Sequence, residues 1–322
     1  MKRVFWAYRD KSKEEINKLF SDCIFVFDTN ILLNFYRVSK KEARNYLDVL
    51  LSYRKKLYLP FTVGEEFYKN RKNVIGEGQR NVKNIIDKYE EINTNIESLL
   101  NDFAQIPKGK RKDTKDILEN IKLIKKSFSD FLEETKKTRE KELKDFKEKD
   151  WIEEILINIF DGKVLCEYSK ENLEKEAEER YKNKIPPGFR DEDKEFNKYG
   201  DYYIWYEIKN LAKEKKKDIV FVTDDCKDDW YQVSKGKING PNPLLLLEFY
   251  KETERYCYIM QFTSFMYYHN SRQDNKKDLT FKKNAIDSWP KKGLSSNANL
   301  DETFSNIGGI NTSVIGDSIS SR

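Results

Sequence analysis

Two stretches of this chain decide its fold: Phe25-Val26-Phe27-Asp28-Thr29-Asn30 and Ile219-Val220-Phe221-Val222-Thr223-Asp224-Asp225. Each is a short apolar run that stops at carboxylates, the pattern of a strand buried on both faces of a parallel sheet. The carboxyl ends of parallel strands share one edge, where open α/β sheets bind their ligands. Acidic side chains gathered there repel one another unless a divalent cation lies among them. The two stretches therefore predict a parallel sheet and a metal-dependent enzyme.

The sequence around these stretches alternates strand and helix patterns. Helices are predicted over residues 13–19, 31–36, 39–53, 200–211 and 243–250 and from Thr62 onwards, and further strands over residues 57–61 and 256–262. Such alternation predicts an α/β fold, a three-layer α/β/α sandwich around a central parallel sheet.

A long segment of different character separates the two halves of this α/β region. From about Arg71 to Leu173 the chain is rich in lysine and glutamate, with apolar residues at three-to-four spacing. This pattern predicts a helical hairpin or arm inserted into the α/β domain. The expected boundaries are residues 1–71 and 181–270 for the α/β domain, 72–180 for the helical insert, and 271–322 for a polar, disordered tail.

One stretch of the insert contains basic residues and no acid. Its cationic side chains are suited to gripping phosphate groups; they are Lys108, Lys110, Arg111 and Lys112. An exposed basic loop that only joins two helices explains the same residues equally well. The amphipathic insert also offers a surface for a protein partner or for self-association.

The composition excludes several classes of protein. The 61 basic residues nearly balance the 56 acidic ones, so the formal charge of +5 permits nucleic-acid binding without requiring it. Four scattered cysteines and the lack of a signal-peptide pattern favour a reduced cytoplasm, and no apolar run is long enough to cross a membrane. The single histidine, His269, excludes a paired-histidine site, and its aromatic neighbours Tyr267 and Tyr268 indicate a packing residue. Carboxylates must therefore carry most of any chemistry.

The first two candidate acids each have an ordinary structural explanation as well. Asp28 follows its strand directly, and it either caps the next helix or serves the sheet edge. Thr62 and Glu65 fit a capping box, in which the Glu65 carboxylate bonds back to the Thr62 backbone. Glu66 then points about 100° round the same helix. It is free to face Asp28, or it is an exposed acid favoured by the helix dipole.

The remaining acids lie in the second half of the chain. Asp201 also fits an N-cap, although the apolar face of its helix should carry it towards the same sheet edge. Adjacent residues of an extended chain point to opposite sides, so at most one of Asp224 and Asp225 should be a direct ligand while the other caps the turn. Asp229 lies just beyond them and is a supporting candidate. The combined oxygen donors suit Mg²⁺ or Mn²⁺ and phosphodiester hydrolysis.

Several motifs together resemble those of the PIN-like nuclease family, in its bacterial branch with a long helical insert. The motifs are Asp28-Thr29-Asn30 after a strand, Val63-x-x-Glu66-Phe67, Pro186-Pro187-Gly188-Phe189-Arg190-Asp191, Tyr199-Gly200-Asp201, and Val222-Thr223-Asp224-Asp225 followed by Asp229-Trp230. The resemblance covers roughly residues 20–270. It implies a three-layer fold and Mg²⁺- or Mn²⁺-dependent cleavage of RNA, less often DNA. It also implies that Asp28, Glu66, Asp201 and Asp225 are the site acids, with Asp224 and Asp229 in support and Asn30 orienting Asp28.

The expected function is a cytoplasmic, metal-dependent endonuclease that acts on RNA. A toxin-like or defence role rests on the resemblance alone. A phosphatase similar to the haloacid dehalogenase family would need a second acid two residues after Asp28, where this chain has Asn30. The alternative of a different class is a PIN-like module without activity, which binds nucleic acid or protein through its insert.

Overall fold

The sheet at the centre of the molecule consists of four parallel strands. The computed structural model describes residues 4–106, 115–272 and 289–290. Its strands are β1 (Ile24–Phe27), β2 (Leu57–Tyr58), β3 (Ile219–Val222), β4 (Tyr231–Ser234), β5 (Lys237–Pro241) and β6 (Cys257–Met260). The parallel sheet has the order β2-β1-β3-β6, and β4 and β5 form a separate antiparallel pair. The predicted α/β class with a central parallel sheet is confirmed.

Ten α-helices of the described residues surround the sheet. They are α1 (Lys13–Asp22), α2 (Thr29–Asn34), α3 (Lys40–Ser52), α4 (Phe61–Ala104), α5 (Lys115–Glu148), α6 (Trp151–Phe160), α7 (Glu171–Lys182), α8 (Gly200–Lys215), α9 (Pro243–Thr253) and α10 (Phe262–Arg272). Local sequence explains several starts: α1 and α3 begin with serine capping boxes, and α9 has proline in its first turn. Over the described residues, none of these helices is both long and apolar enough to be a membrane span.

The register of β1 against β3 aligns the ends of the two strands. Phe27 lies opposite Val222, and the backbone N–H of Asp28 donates to the Val222 carbonyl at 2.9 Å. Asp28 and Thr223 are therefore the first residues beyond the sheet on neighbouring strands. The prediction that both acid-ending runs meet at one edge is confirmed.

Alternation of side chains along the strands covers both faces of the sheet. Phe25 of β1 contacts rings of α1 and α10 on one face, including Phe265 at a centroid distance of 5.5 Å. Phe221 of β3 points to the other face, where its ring lies 5.0 Å from that of Trp230. Trp205 of α8 packs against Trp230 in turn. Each face thus carries a layer of its own, as a three-layer sandwich requires.

The insert consists mainly of α4 and α5, which pack against each other as a hairpin. Helix α4 is continuous through Arg71, so the chain has no break at the expected boundary. After the hairpin, α6 returns to the main core and buries Ile152 and Ile159 there. The bridge between Leu59 and Val164 then extends the sheet edge by one pair. The basic residues Lys108, Lys110, Arg111 and Lys112 lie outside the described residues.

Trp289 belongs to the core, although it falls within the segment predicted to be a disordered tail. Its side chain is only 3% exposed, and its ring stacks on Phe262 at a centroid distance of 4.0 Å. The prediction is wrong at this residue, because a single indole carries enough apolar surface to be held in a core even within a polar segment.

Candidate metal centre

Asp28 both caps a helix and faces the sheet edge. Its Oδ1 accepts a hydrogen bond from the Thr29 backbone N–H at 2.7 Å, as an N-cap of α2. Its Oδ2 accepts from the Thr223 hydroxyl at 2.6 Å and from the Asn30 amide. Burial raises the pKa of Asp28 to about 7; the bond from Thr223 opposes this rise, and the nearby charge of Glu66 adds to it. The two roles considered for Asp28 are therefore compatible.

Asn30 links the ends of the two central strands. Its side-chain N–H groups reach Asp28 and the Thr223 hydroxyl, the latter at 3.1 Å. Its Oδ1 accepts from the backbone N–H of Asp224 at 3.2 Å. These are the contacts that an orienting role towards Asp28 requires.

Glu66 lies beside Asp28 and is held from two sides. Its Oε2 accepts from the Thr29 hydroxyl at 2.8 Å, and its Oε1 accepts from the Asn197 amide. Gly200 completes this arrangement, because a Cβ at that position would lie 2.7 Å from Glu66 Oε1. The glycine before Asp201 is therefore required by the close approach of the Glu66 carboxylate.

The capping box predicted for Thr62 and Glu65 is wrong, because α4 begins at Phe61 with Pro60 as its N-cap. The buried carboxylate of Glu207, from α8, accepts from the backbone N–H groups of Phe61 and Thr62, the latter at 3.0 Å. Glu65 instead forms ion pairs on the surface with Lys69 and Lys170. A buried carboxylate that satisfies two free N–H groups at once is a better cap than Glu65, and its position is fixed by the fold.

Asp201 lies in the first turn of α8, behind an N-cap position that belongs to Tyr199. The N-cap alternative for Asp201 does not hold. Its Oδ2 is buried and accepts no hydrogen bond from any described residue. Burial raises the pKa of Asp201 well above its ordinary value; Lys227 opposes this rise, and the charges of Asp225, Asp191 and Asp28 add to it. Asp201 Oδ2 therefore has no hydrogen-bond partner among the described residues, and its neighbours include the carboxylates of Asp225 and Asp191.

Asp224 and Asp225 point in different directions, as the extended backbone predicts. Asp224 Oδ1 accepts from the Phe262 backbone N–H at 2.9 Å, and its Oδ2 accepts from the Trp289 indole N–H at 2.5 Å. Burial raises the pKa of Asp224, and those two bonds oppose the rise. Asp225 Oδ2 instead lies 2.9 Å from the Lys227 ammonium. Asp225 faces the group of acids, whereas both oxygens of Asp224 are engaged elsewhere.

Lys227 lies in the middle of the acids, and sequence reasoning missed it. Its Nζ is 2.7 Å from Asp191 Oδ1, 2.9 Å from Asp225 Oδ2 and 3.7 Å from Asp201 Oδ2. Burial lowers the pKa of Lys227, but the carboxylates of Asp201 and Asp225 raise it above the ordinary value. Asp191 was missed as well, although it ends the quoted Pro-Pro-Gly-Phe-Arg-Asp motif. A lysine in a charged loop carries no signal in the sequence.

Asp229 supports the loop that presents Asp191. It is fully buried, and its Oδ2 accepts from the Gly188 backbone N–H at 2.9 Å. Gly188 has φ +92°, and a Cβ there would collide with the Tyr181 hydroxyl. Asp229 and Gly188 thus fix the turn of the motif and the position of Asp191 beside Lys227.

Comparison with known proteins identifies the family. Residues 24–245, well over half of the chain, match the family described as a PIN like domain. The chain belongs to the PIN-like domain family. No curated protein and no solved structure gives a significant match. The PIN-like domain is in general a nuclease-type fold, and the match includes all of the acids described above.

The PIN-like domain typically uses divalent metals, and the chemistry of this site fits a cation. The side chains that could hold a cation here offer only carboxylate oxygens as ligands. Among them, the buried Asp201 Oδ2 has no hydrogen-bond partner among the described residues. Burial and mutual repulsion raise the pKa values of Asp28 and Asp201, and a cation would relieve both effects. Across the described ranges, however, no three side chains of His, Cys, Asp or Glu stand close enough to form a ready-made site. The ammonium of Lys227 supplies the positive charge instead.

Proposed function

We propose that the protein is a Mg²⁺- or Mn²⁺-dependent nuclease that hydrolyses phosphodiester bonds, specifically an endoribonuclease. The observation that carries the proposal is the group of carboxylates at the carboxyl edge of the sheet. These side chains come from four separate parts of the chain; they are Asp28, Glu66, Asp201 and Asp225. One oxygen of Asp201 is buried and has no hydrogen-bond partner among the described residues. Membership of the PIN-like domain family supports the same chemistry.

The contacts divide the acids by role. Asp28, Glu66, Asp201 and Asp225 would hold the metal, because each presents a carboxylate to the same region. We leave Asp224 out of the proposed ligand set, because its two oxygens are directed to the core residues Phe262 and Trp289 and not to the other acids. Asn30 and Asp229 act as positioning residues through their hydrogen bonds. A divalent cation held by these residues would supply Lewis-acid chemistry, that is, polarisation of the phosphate and a lower pKa for a bound water.

The substrate and setting rest on the resemblance and on the sequence. RNA is preferred over DNA, and a toxin-like or defence role is part of the proposal on family grounds alone. The basic residues Lys108, Lys110, Arg111 and Lys112, which lie between α4 and α5 in the sequence, would contribute phosphate contacts. A cytoplasmic location agrees with four cysteines that form no disulfide.

One observation favours a second function, that of a binding module without activity. The α5 helix of the insert leaves apolar side chains open to solvent, among them Leu123 (63% exposed), Ile124 (68%) and Phe131 (60%). Exposed apolar residues grouped on one helix are typical of a protein-binding surface. The insert would then be the working part, with a protein partner or a second copy bound to it.

Cleavage of labelled RNA and DNA separates these functions. The metal-free protein is assayed with Mg²⁺, Mn²⁺ or EDTA, and a circular RNA distinguishes internal cleavage from digestion of an end. We expect cleavage of the circular RNA with metal and a loss of about 100-fold in Asp28→Asn. Asp161→Asn, an equal change at an exposed acid, is the matched control. The nuclease proposal is contradicted if neither RNA nor DNA is cleaved, or if the Asp28→Asn variant is as active as the parent. RNA bound but uncut supports the binding module.

A further inference from the structure

Lys227 occupies the position at which positive charge is needed most. Its ammonium lies within 4 Å of three carboxylates that come from three parts of the fold. Asp225 is just beyond β3, Asp201 is in the first turn of α8, and Asp191 is in the loop that Asp229 anchors. A divalent cation held by Asp201 and Asp225 would need the same region of space.

The contacts of Lys227 differ from those of an ordinary surface lysine. Its side chain is 30% exposed, whereas that of Lys194, which pairs with the other oxygen of Asp191, is 52% exposed. Lys194 reaches one acid and Lys227 reaches three. Ion pairs with several partly buried acids are much less screened by water than single exposed pairs. Lys227 therefore neutralises this group of acids, and Lys194 serves as its matched comparison.

We infer that Lys227 is an internal counter-ion that stabilises the metal-free site and competes with the divalent cation for it. The inference rests on the proposed function, since it assigns a role to Lys227 at the proposed metal centre. Binding of the cation should displace the ammonium, because an ammonium and a divalent cation held by the same carboxylates repel each other. The flexible four-carbon side chain and its partial exposure give the ammonium a route to solvent.

Loss of the Lys227 ammonium should lower the stability of the metal-free protein and raise its affinity for the cation. Without metal, loss of the ammonium leaves the acids facing one another, so the metal-free protein becomes less stable. With metal, the same loss removes the competitor, so the cation binds more tightly. A purely structural salt bridge predicts only the first effect, and an inert surface lysine predicts neither.

The experiment compares chelator-treated wild-type protein with Lys227→Met and Lys194→Met. Mn²⁺ affinity is measured by calorimetry, and thermal unfolding is recorded with and without Mn²⁺. We expect Lys227→Met to bind Mn²⁺ about tenfold more tightly, since it removes one unit charge close to the site. Its metal-free Tm should fall by about 2–4 °C, and saturating Mn²⁺ should restore it. Lys194→Met should bind Mn²⁺ like the wild type.

Two further measurements keep the inference open to contradiction if Lys227→Met folds poorly. Lys227→Arg retains the charge and should bind Mn²⁺ as the wild type does; equal tightening in both variants would show that side-chain size, not charge, is responsible, and would overturn the inference. In the wild-type protein, amine labelling followed by mass spectrometry should modify Lys227 faster when Mn²⁺ is bound, with no change at Lys194. Unchanged labelling of Lys227 at saturating Mn²⁺ is also contrary to the inference.

The remaining outcomes distinguish this inference from the proposed function. If the wild type and Lys227→Met bind Mn²⁺ equally while Asp28→Asn loses binding, the metal centre stands and the role of Lys227 is wrong. If none of the proteins binds Mn²⁺ or Mg²⁺, the proposed function fails and the inference fails with it.

Discussion

Gly200, which has no side chain, leaves room for the carboxylate of Glu66. Gly200 begins α8 next to Asp201, and its lack of a Cβ admits the Glu66 carboxylate to within contact of the helix backbone. Thr29 and Asn197 hold the same carboxylate by hydrogen bonds. The requirement is for space rather than for backbone freedom, because the conformation of Gly200 is open to any residue.

We expect Gly200→Ala to lower both stability and metal-dependent cleavage. The added Cβ would collide with the Asn197 amide and lie 2.7 Å from Glu66 Oε1, so both side chains must move, at a cost of about 1–3 kcal/mol in the free energy of unfolding. The control is Gly76→Ala in α4, where a Cβ meets nothing closer than 3.5 Å. That change should stabilise the protein by about 1 kcal/mol through helix propensity. Urea unfolding and the RNA assay test both; equal behaviour of the two variants would refute the close-approach argument.

At the scale of elements, α8 joins the start of the insert to the site. Its Gly200 end carries Asp201, and nearly two turns further on Glu207 caps the first N–H groups of α4, which also carries Glu66. The orientation of α4, and with it the position of Glu66, therefore depends on a buried contact between two helices. The hydroxyls of Thr62 and Tyr168 also donate to the same carboxylate, the latter at 3.0 Å.

Glu207→Ala should destabilise the protein far more than Glu65→Ala. Removal of Glu207 leaves the backbone N–H groups of Phe61 and Thr62 without their acceptor, at a cost of about 2–4 kcal/mol. Glu65 forms only partly exposed ion pairs, so its loss should cost less than about 1 kcal/mol. Chemical unfolding of the two variants measures the difference. A larger effect at Glu65 would restore the capping box that its sequence predicts.

At the scale of the whole molecule, Trp289 ties the C-terminal part of the chain to the site. Its ring is buried among Phe35, Tyr46 and Phe262, and its indole N–H engages Asp224. Phe262 uses its backbone N–H on the other oxygen of Asp224. Asp224 is thus held on the core side of its strand end, and Asp225 is left to face Lys227.

Trp289→Ala should lower the free energy of unfolding by about 3–5 kcal/mol, since it empties a ring-sized space in the core. Trp289→Phe keeps a six-membered ring but loses the N–H and part of the apolar volume, so it should cost about 1–3 kcal/mol, less than Trp289→Ala. Calorimetric or urea unfolding distinguishes the two contributions. Should Trp289→Ala unfold like the wild type, the indole would not be part of the core in solution.

Prediction from the sequence succeeded where a residue's neighbours follow from its position along a strand. The apolar runs that end in acids predicted that Asp28 and the pair Asp224 and Asp225 lie at one sheet edge, and the register of β1 against β3 confirms that edge. Glu66 was selected with the help of a capping box that does not exist, although helical geometry made it the acid free to face Asp28. The choice between Asp224 and Asp225 depended on Trp289, more than sixty residues away.

The sequence by itself determined the α/β class and the parallel central strands, and it supplies the carboxylates on which the proposed chemistry rests, because apolar periodicity and the supply of acids are local properties of the chain. Only the tertiary structure decided which ammonium pairs with the acids, which carboxylate caps α4, and which oxygen of Asp201 is left without a hydrogen-bond partner among the described residues. Those features depend on contacts between Lys227, Glu207 and Asp201 and parts of the chain that lie far from them in sequence. Such contacts cannot be predicted from the residues on either side of a side chain in the sequence, because they form only when the helices pack on the sheet.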